Sequence, residues 1–289
     1  MAASGTLFGY GVRSPFSHER LSPAPARRGS IEIGRCDPVR PDPALVTHHH
    51  TRSGASFMIA RERDGSLGVA CSAGGGFRID AAAFRVLSDA TLPGGELWEH
   101  RLVTVVAPLL LVETGDVALH AAAIARDDTA VAFVGASTRG KSTLALAADA
   151  AGLGVLADDG VVVERVDGGG LVWPGPAGIR VARPGEARKA TIAAGAAPLR
   201  PATLAAVAVL GSWADDGPLV EPLAPVDAVP ALVPSLIFSG PDRLPEAMRS
   251  AAWLAASIPV FRCRMPHGVD RLPDAVCTVL DRVLSPAAA

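Results

Sequence analysis

Residues 130–160 read AVAFVGASTRGKSTLALAADAAGLGVLADDG. Residues 131–134 form an apolar run of strand character. A loop follows, composed of Gly135, Ala136, Ser137, Thr138, Arg139, Gly140, Lys141 and Ser142. Residues 140–151 are Ala/Leu-rich almost all round, which predicts a helix buried against a sheet. A second apolar run, 155–157, ends in Asp158 and Asp159. The loop fits G-x-x-x-x-G-K-[ST] in the strand–loop–helix setting that this motif needs. Successive backbone N–H groups and the helix N-terminus then face inward, which favours anionic phosphate. Lys141 is expected to reach the β- and γ-phosphates of a nucleoside triphosphate, and Ser142 to hold Mg²⁺. Of the 27 Lys and Arg residues, only Lys141 and Lys189 are lysine. A chain that otherwise uses Arg has put a compact ammonium in this loop. The plain alternative is a glycine-rich turn between a strand and a helix.

Asp158 and Asp159 lie 17 and 18 residues after Lys141. That distance is one helix and one adjacent strand, so the carboxylates are expected to return beside the loop. A carboxylate that accepts a hydroxyl proton suits phosphoryl transfer, where positioning and charge neutralisation lower most of the barrier. The plain alternative is a solvated turn with Gly160. No LSGGQ-like segment and no N-K-x-D segment occurs, so ABC-type and guanine-reading arrangements are excluded.

Working outward, residues 117–124 and 130–134 are β-type runs joined by an Arg126-Asp127-Asp128 turn, a hairpin-like pair that feeds the loop. His120 lies on the first run; taken alone it reads as a satisfied core histidine. Residues 96–114 look helical, with Pro108 as a kink. Residues 6–12, 30–34 and 56–61 are short β-type runs, and Arg63-Asp64-Gly65 turns the last of them toward 67–71. Residues 22–28 and 37–43 read as loops. Residues 1–95 thus form a β-rich N-terminal module, and 96–289 the α/β unit that carries the loop. Downstream, strands are expected at 161–166, 171–173, 179–181, 204–210, 219–223 and 259–264. Helices are expected at 227–238, 244–256 and 269–284.

Composition narrows the function classes. Apolar residues make up 49% and charged residues 19%, enough for a substantial core. The net charge of −2 and 4% aromatic content argue against nucleic acid and anionic membrane as partners. The apolar run 102–112 is too short to span a bilayer. Cys36, Cys71, Cys263 and Cys277 form no C-x-x-C pair, and the N-terminus lacks the apolar region of a signal peptide, so reduced thiols in a cytoplasmic protein are expected. His48-His49-His50 are adjacent and cannot all face one ion, so a loop is the simpler reading.

The segment 119–164, LHAAAIARDDTAVAFVGASTRGKSTLALAADAAGLGVLADDGVVVE, resembles the kinase domain of HPr serine kinase/phosphorylase. It is still more similar to the compact HPr-kinase-like proteins of bacterial biosynthetic clusters, lasso-peptide kinases among them. The shared pattern is a strand carrying Val/Leu-His, a P-loop, a short helix and a strand ending in Asp-Asp; His120 precedes Gly135 by 15 residues, which agrees with that pattern. The convincing part spans about 117–166. It does not extend to the longer downstream signature of the bifunctional enzymes or to their regulatory domain. The resemblance implies an α/β P-loop kinase core of the HPr kinase/phosphoenolpyruvate carboxykinase type, binding ATP and Mg²⁺. It implies that residues Gly135 to Thr143 bind phosphates, that Ser142 and Asp158 position Mg²⁺, and that the general base is an aspartate of the pair, Asp159 ahead of Asp158. It puts His120 near the transferring phosphate. Arg139, Arg180 and Arg183 are candidate phosphate or substrate clamps, or plain surface arginines. The implied partner is a hydroxyl of a peptide or protein, Ser of a ribosomally made precursor peptide being the leading case, with a homo-oligomer possible. A non-catalytic nucleotide-binding module and a small-molecule kinase are the alternatives.

Overall fold

The computed structural model describes residues 5–52, 55–71, 75–89, 95–136, 139–181, 190–195 and 197–285, with side chains described outside 47–56. The fold is mixed α/β. Among the described residues, one sheet has eight strands: β1 (Thr6–Leu7), β2 (Tyr10–Arg13), β3 (Ser30–Arg35), β4 (Val46–Arg52), β5 (Ala55–Arg61), β6 (Leu67–Cys71), β7 (Gly76–Asp80) and β8 (Arg85–Ser88). Their spatial order is β1-β2-β3-β8-β7-β6-β5-β4. β4 to β8 form an antiparallel meander, while β3 lies parallel to both β2 and β8.

In this sheet, two readings of the sequence are corrected. The run 6–12 is a hairpin, because Phe8 (φ 53°) and Gly9 (φ 83°) make a two-residue turn of the kind that joins twisted antiparallel strands. Phe8 tolerates this conformation while fully buried. The triplet His48-His49-His50 is not a loop but part of β4, paired along β5 through His49↔Met58 and His50↔Phe57. β4 is the edge strand, where a polar run is compatible with sheet pairing because one side of the strand is unpaired.

The helix over 96–113 is continuous in three parts: α1 (Glu96–Arg101), a π-helical turn Leu102–Val106, and α2 (Ala107–Glu113). Pro108 cannot donate to the Thr104 carbonyl and its ring crowds that carbonyl. The backbone answers by widening into the π form just before the proline. Trp98, Leu102, Val106 and Leu109 of this helix share one core with Ile31, Phe77 and Val86 of the first sheet and with Trp173. Trp98 stacks edge-on against Phe16 at 5.4 Å, and its indole N–H donates to the Ser88 hydroxyl at 2.8 Å.

The second sheet is built, with its helices, from β9 (Val117–Leu119), β10 (Ala121–Arg126), β11 (Thr129–Val134), α3 (Lys141–Ala150), β12 (Gly154–Asp158), β13 (Val161–Val166) and β14 (Gly169–Val172). β15 (Ile179–Val181) and β16 (Ala190–Ile192) form a separate ribbon. Then come β17 (Ala202–Leu210), β18 (Leu219–Pro222), α4 (Pro225–Leu232), α5 (Leu244–Ser257), β19 (Val260–Arg264) and α6 (Leu272–Leu284). The order is β12-β10-β11-β17-β14-β13-β9, and β19 pairs with both β17 and β18. Alternation along β11 divides the core into two. Val131 and Phe133 pack toward Leu144 of α3 and Val279 of α6, whereas Ala132 and Val134 pack toward Leu232 of α4 and Leu254 of α5. The sheet is therefore sandwiched between helices on both faces.

The run 117–124 is not one strand. It divides at His120: β9 pairs with β13, and β10 with β11 and β12. The His120 amide leaves the ladder and donates to the Ser235 carbonyl at 2.7 Å. Likewise the helix expected over 227–238 stops at Leu232 and tightens into a 3₁₀ turn, Val233–Ser235. Pro234 accounts for this: it has no N–H to donate to the Pro230 carbonyl, so the α ladder ends with the Val233 amide on the Val229 carbonyl. No described helix is long and apolar enough to cross a membrane.

Candidate functional site

β11 delivers the chain to Gly135, where the backbone turns at φ 151°. A Cβ at that position would lie 3.1 Å from the Leu210 carbonyl oxygen of β17, so only glycine lets the loop leave the sheet here. Gly140, at φ 84°, starts α3 from a left-handed conformation. Lys141 is the first residue of that helix, and its buried ammonium donates to the carbonyls of Gly135 and Ala136 at 2.7 and 3.2 Å. Ala136 and Arg139 are exposed; Gly135, Gly140, Ser142 and Thr143 are half-buried. Ser137 and Thr138 lie outside the described residues.

α3 and β12 bring two parts of the sequence together at its first turn. The Ser142 hydroxyl donates to Asp158 Oδ1 at 3.1 Å. Asp158 closes β12, is 1% exposed, and accepts the Arg180 amide N–H on Oδ2 at 2.9 Å. Its carboxylate is thus oriented from both sides. Among the described residues, no group of three or more His, Cys, Asp or Glu side chains forms a metal cluster. The hydroxyl–carboxylate pair is instead a hard-oxygen set of the size that suits Mg²⁺, which binds through one or two carboxylates and completes its shell with substrate phosphates.

Asp159 follows with a left-handed backbone, φ 73°, which turns its side chain away from that of Asp158. Two histidines flank it. His120 Nδ1 lies 3.0 Å from the Asp159 carbonyl and 3.3 Å from its Oδ1. A carbonyl only accepts, so Nδ1 carries a proton and directs it at Asp159. On the other side His100 Nε2 lies 3.9 Å from Asp159 Oδ2. Arg20 Nη1 donates to His100 Nδ1 at 3.5 Å, so this ring carries its proton on Nε2, toward the carboxylate. Burial, reinforced by the positive charge of Arg180, pushes the His100 pKa down to about 3 against the opposing pull of Asp159.

Arg20 is 4% exposed, and its Nε also donates to the Ala177 carbonyl at 3.3 Å. Burial and the neighbouring Arg180 lower its pKa, while Asp159, Glu99 and Asp158 oppose them. Glu99 fixes the segment that carries Arg20: its Oε1 accepts the Glu19 and Arg20 amides, both at 2.9 Å. Burial works to raise the Glu99 pKa, but hydrogen bonds from His18 and from these amides outweigh it and hold the group below the usual carboxylate range. Arg180 completes the cluster with its guanidinium 3.4 Å from Glu96.

Ser142, next to Lys141 in the first turn of α3, therefore meets Asp158, Arg180 joins them through its amide, and His120 meets Asp159. Arg183 lies outside the described residues. Arg20, Glu99 and His100 carry no motif; they arrive from the loop between β2 and β3 and from α1, and no local pattern announces them. The four cysteines are free and take no part. Burial raises the thiols of Cys71 and Cys263 to about 11 and about 12, which leaves both protonated and inert. A cleft of about 260 Å³ opens elsewhere, beside Glu113, Arg165, Arg243 and Glu246, and no residue of the loop or of the acidic pair lines it.

No protein-family model matches this chain, and no curated protein does. Among solved structures it is similar to the HPr(Ser) kinase/phosphatase from Coxiella burnetii, with 15% sequence identity and a TM-score of 0.34, over 56% of this chain and 93% of that chain.

Proposed function

We propose that this chain is an ATP- and Mg²⁺-dependent kinase that transfers the γ-phosphate to a hydroxyl, the serine of a peptide or protein, with a ribosomally made precursor peptide as the leading substrate class. The observation that carries the reading is the meeting of three groups at the start of α3. Lys141 stands on a glycine-bounded loop, the Ser142 hydroxyl is hydrogen-bonded to Asp158, and the Asp159 carboxylate, one residue on, is held between two histidines.

The roles follow from the surroundings of each side chain. Lys141 and the amides of the loop and first helical turn take the phosphates. Ser142 and Asp158 hold Mg²⁺, which when bound neutralises charge on the phosphate oxygens. Asp158 is committed to the Ser142 hydroxyl and the Arg180 amide, whereas Asp159 has its carboxylate in the partly exposed space between His100 and His120. Asp159 takes the proton of the acceptor hydroxyl as that oxygen bonds to the γ-phosphorus and ADP departs. His120 holds the Asp159 side in place through Nδ1, and Arg180 stands beside the transferring group, where a fixed positive charge stabilises the equatorial oxygens.

The test is transfer of labelled γ-phosphate to serine peptides, with nucleotide affinity measured in parallel. Asp159→Asn is expected to lower the rate by about 10²- to 10⁴-fold, the range for loss of a general base, and to leave ATP affinity within about threefold. Undiminished transfer in that variant removes Asp159 as the base. A wild-type chain that binds ATP but labels no hydroxyl acceptor removes the kinase reading.

A further inference from the structure

β11, β17 and β19 run parallel and side by side, so their carboxyl ends open on the same edge of the second sheet. In open α/β sheets, ligands seat outside the carboxyl ends of the strands. The loop that ends in Lys141 follows β11. The segment Gly211-Ser212-Trp213-Ala214 follows β17, and Met265-Pro266-His267 follows β19. The last two are tied together by backbone hydrogen bonds, from Gly211 to Cys263 at 2.8 Å and from Ala214 to Met265 at 2.8 Å. This holds two rings as a pair: Trp213 and His267 have centroids 5.4 Å apart and planes 31° apart. The indole reaches the glycine-bounded loop, since a Cβ at Gly140 would lie 3.3 Å from its Cη2. Trp98 and Trp173 are buried in the core, but Trp213 is 38% exposed and His267 is exposed.

A large ring left open to water at the carboxyl edge of a sheet, on a braced segment and against a phosphate loop, is suited to a planar ligand. We infer that Trp213, flanked by His267, is the stacking shelf for the nucleobase of the nucleotide whose phosphates the Gly135–Ser142 loop takes. The inference rests on the reading of that loop as a nucleoside triphosphate site. It adds the ligand's other end: a purine, whose two fused rings cover more of an indole than a pyrimidine does. Stacking tolerates either purine, because the contact is made with a π-face and not with a base edge.

The experiment compares binding of Mg·ATP and of inorganic tripolyphosphate with Mg²⁺, by calorimetry, to the full-length wild type, Trp213→Ala, Trp213→Phe and Lys141→Ala. Trp213→Ala is expected to weaken ATP by about five- to 150-fold, the range of base–aromatic stacking on alanine substitution, while tripolyphosphate is unaffected. Trp213→Phe, which keeps a ring, should stay within about fivefold of wild type for ATP. Lys141→Ala should lose both ligands. Unchanged ATP affinity in Trp213→Ala beside a defective Lys141→Ala overturns the shelf and leaves the phosphate loop standing. An equal loss of tripolyphosphate in Trp213→Ala also overturns the shelf. A wild-type chain that binds neither ligand overturns both readings.

Discussion

Replacing His100 by Asn is expected to make the folded chain less sensitive to acid, by an amount that the site itself fixes. His100 ionises near pH 6.5 in an unfolded chain, but burial and Arg180 push it to about 3 in the fold. Arg180, Arg20 and Arg101 oppose its charging, and Asp159 favours it. Above pH 6.5 the ring is neutral in both states and contributes no pH dependence. Between pH 6.5 and about 3 the unfolded chain holds a proton here that the folded chain refuses, so stability falls as pH falls, by about 1.4 kcal/mol per unit. At pH 5 the accumulated loss is about 2 kcal/mol, and His100→Asn escapes it. The assay is urea denaturation of both proteins at pH 8 and pH 5, read as the difference between them so that all other titrating groups cancel. The gap should move by about 2 kcal/mol in favour of the variant at pH 5. A gap constant to about 0.5 kcal/mol would show that His100 takes up its proton in the fold, and would refute the neutral ring beside Asp159.

Two further outcomes rest on the scaffold. Arg28 makes a paired contact with the carboxylate of Asp116 at 2.8 and 2.9 Å, and both side chains are about nine-tenths buried. Arg28→Met strands Asp116 and should cost about 3–5 kcal/mol in denaturation experiments, with partial recovery when Asp116→Asn is added; a loss below about 1 kcal/mol would contradict this. Gly135→Ala meets both an unfavourable φ and the Leu210 carbonyl, whereas Gly152→Ala, at φ 77°, meets no atom within 4 Å. Melting experiments should therefore show Gly152→Ala losing about 1–2 kcal/mol and Gly135→Ala losing more; equal losses would mean that the loop moves aside from β17 without penalty.

Much of this architecture is legible in the sequence because it is local. The strand, loop, helix and strand of 130–160 declare themselves through periodicity, two glycines and an acidic pair. So does the β5–β6 hairpin, which turns at Gly65 with φ 85°. What is not legible depends on partners distant in sequence. Nothing in the run around His120 marks the residue where the chain changes neighbours, because β9 and β10 are equally apolar and the break is made by Ser235. The π turn answers Pro108 through a carbonyl four residues earlier, which a helix-or-kink reading does not contain. His100 and Arg20 stand 80 positions apart, and their role beside Asp159 exists only once the two sheets are packed. The acidic pair is thus readable as chemistry, but the setting that distinguishes Asp158 from Asp159 is tertiary.

The core shared by the first sheet and α1–α2 has a consequence for how the chain is made. β1 to β8 are complete once residue 88 has left the ribosome, yet Trp98, Leu102 and Leu109, which cover their apolar face, are still to come. The last piece of that cover is later still: Trp173 belongs to the same core, and the Phe8 amide donates to the Pro174 carbonyl at 3.0 Å. At about 5–20 residues per second, translation from residue 88 to residue 174 takes about 4–17 s. For those seconds Phe8, Ile31 and Phe77 belong to a nascent sheet whose lid has not been synthesised. A holdase chaperone acting on the emerging chain through that interval is therefore expected to raise the yield of folded protein.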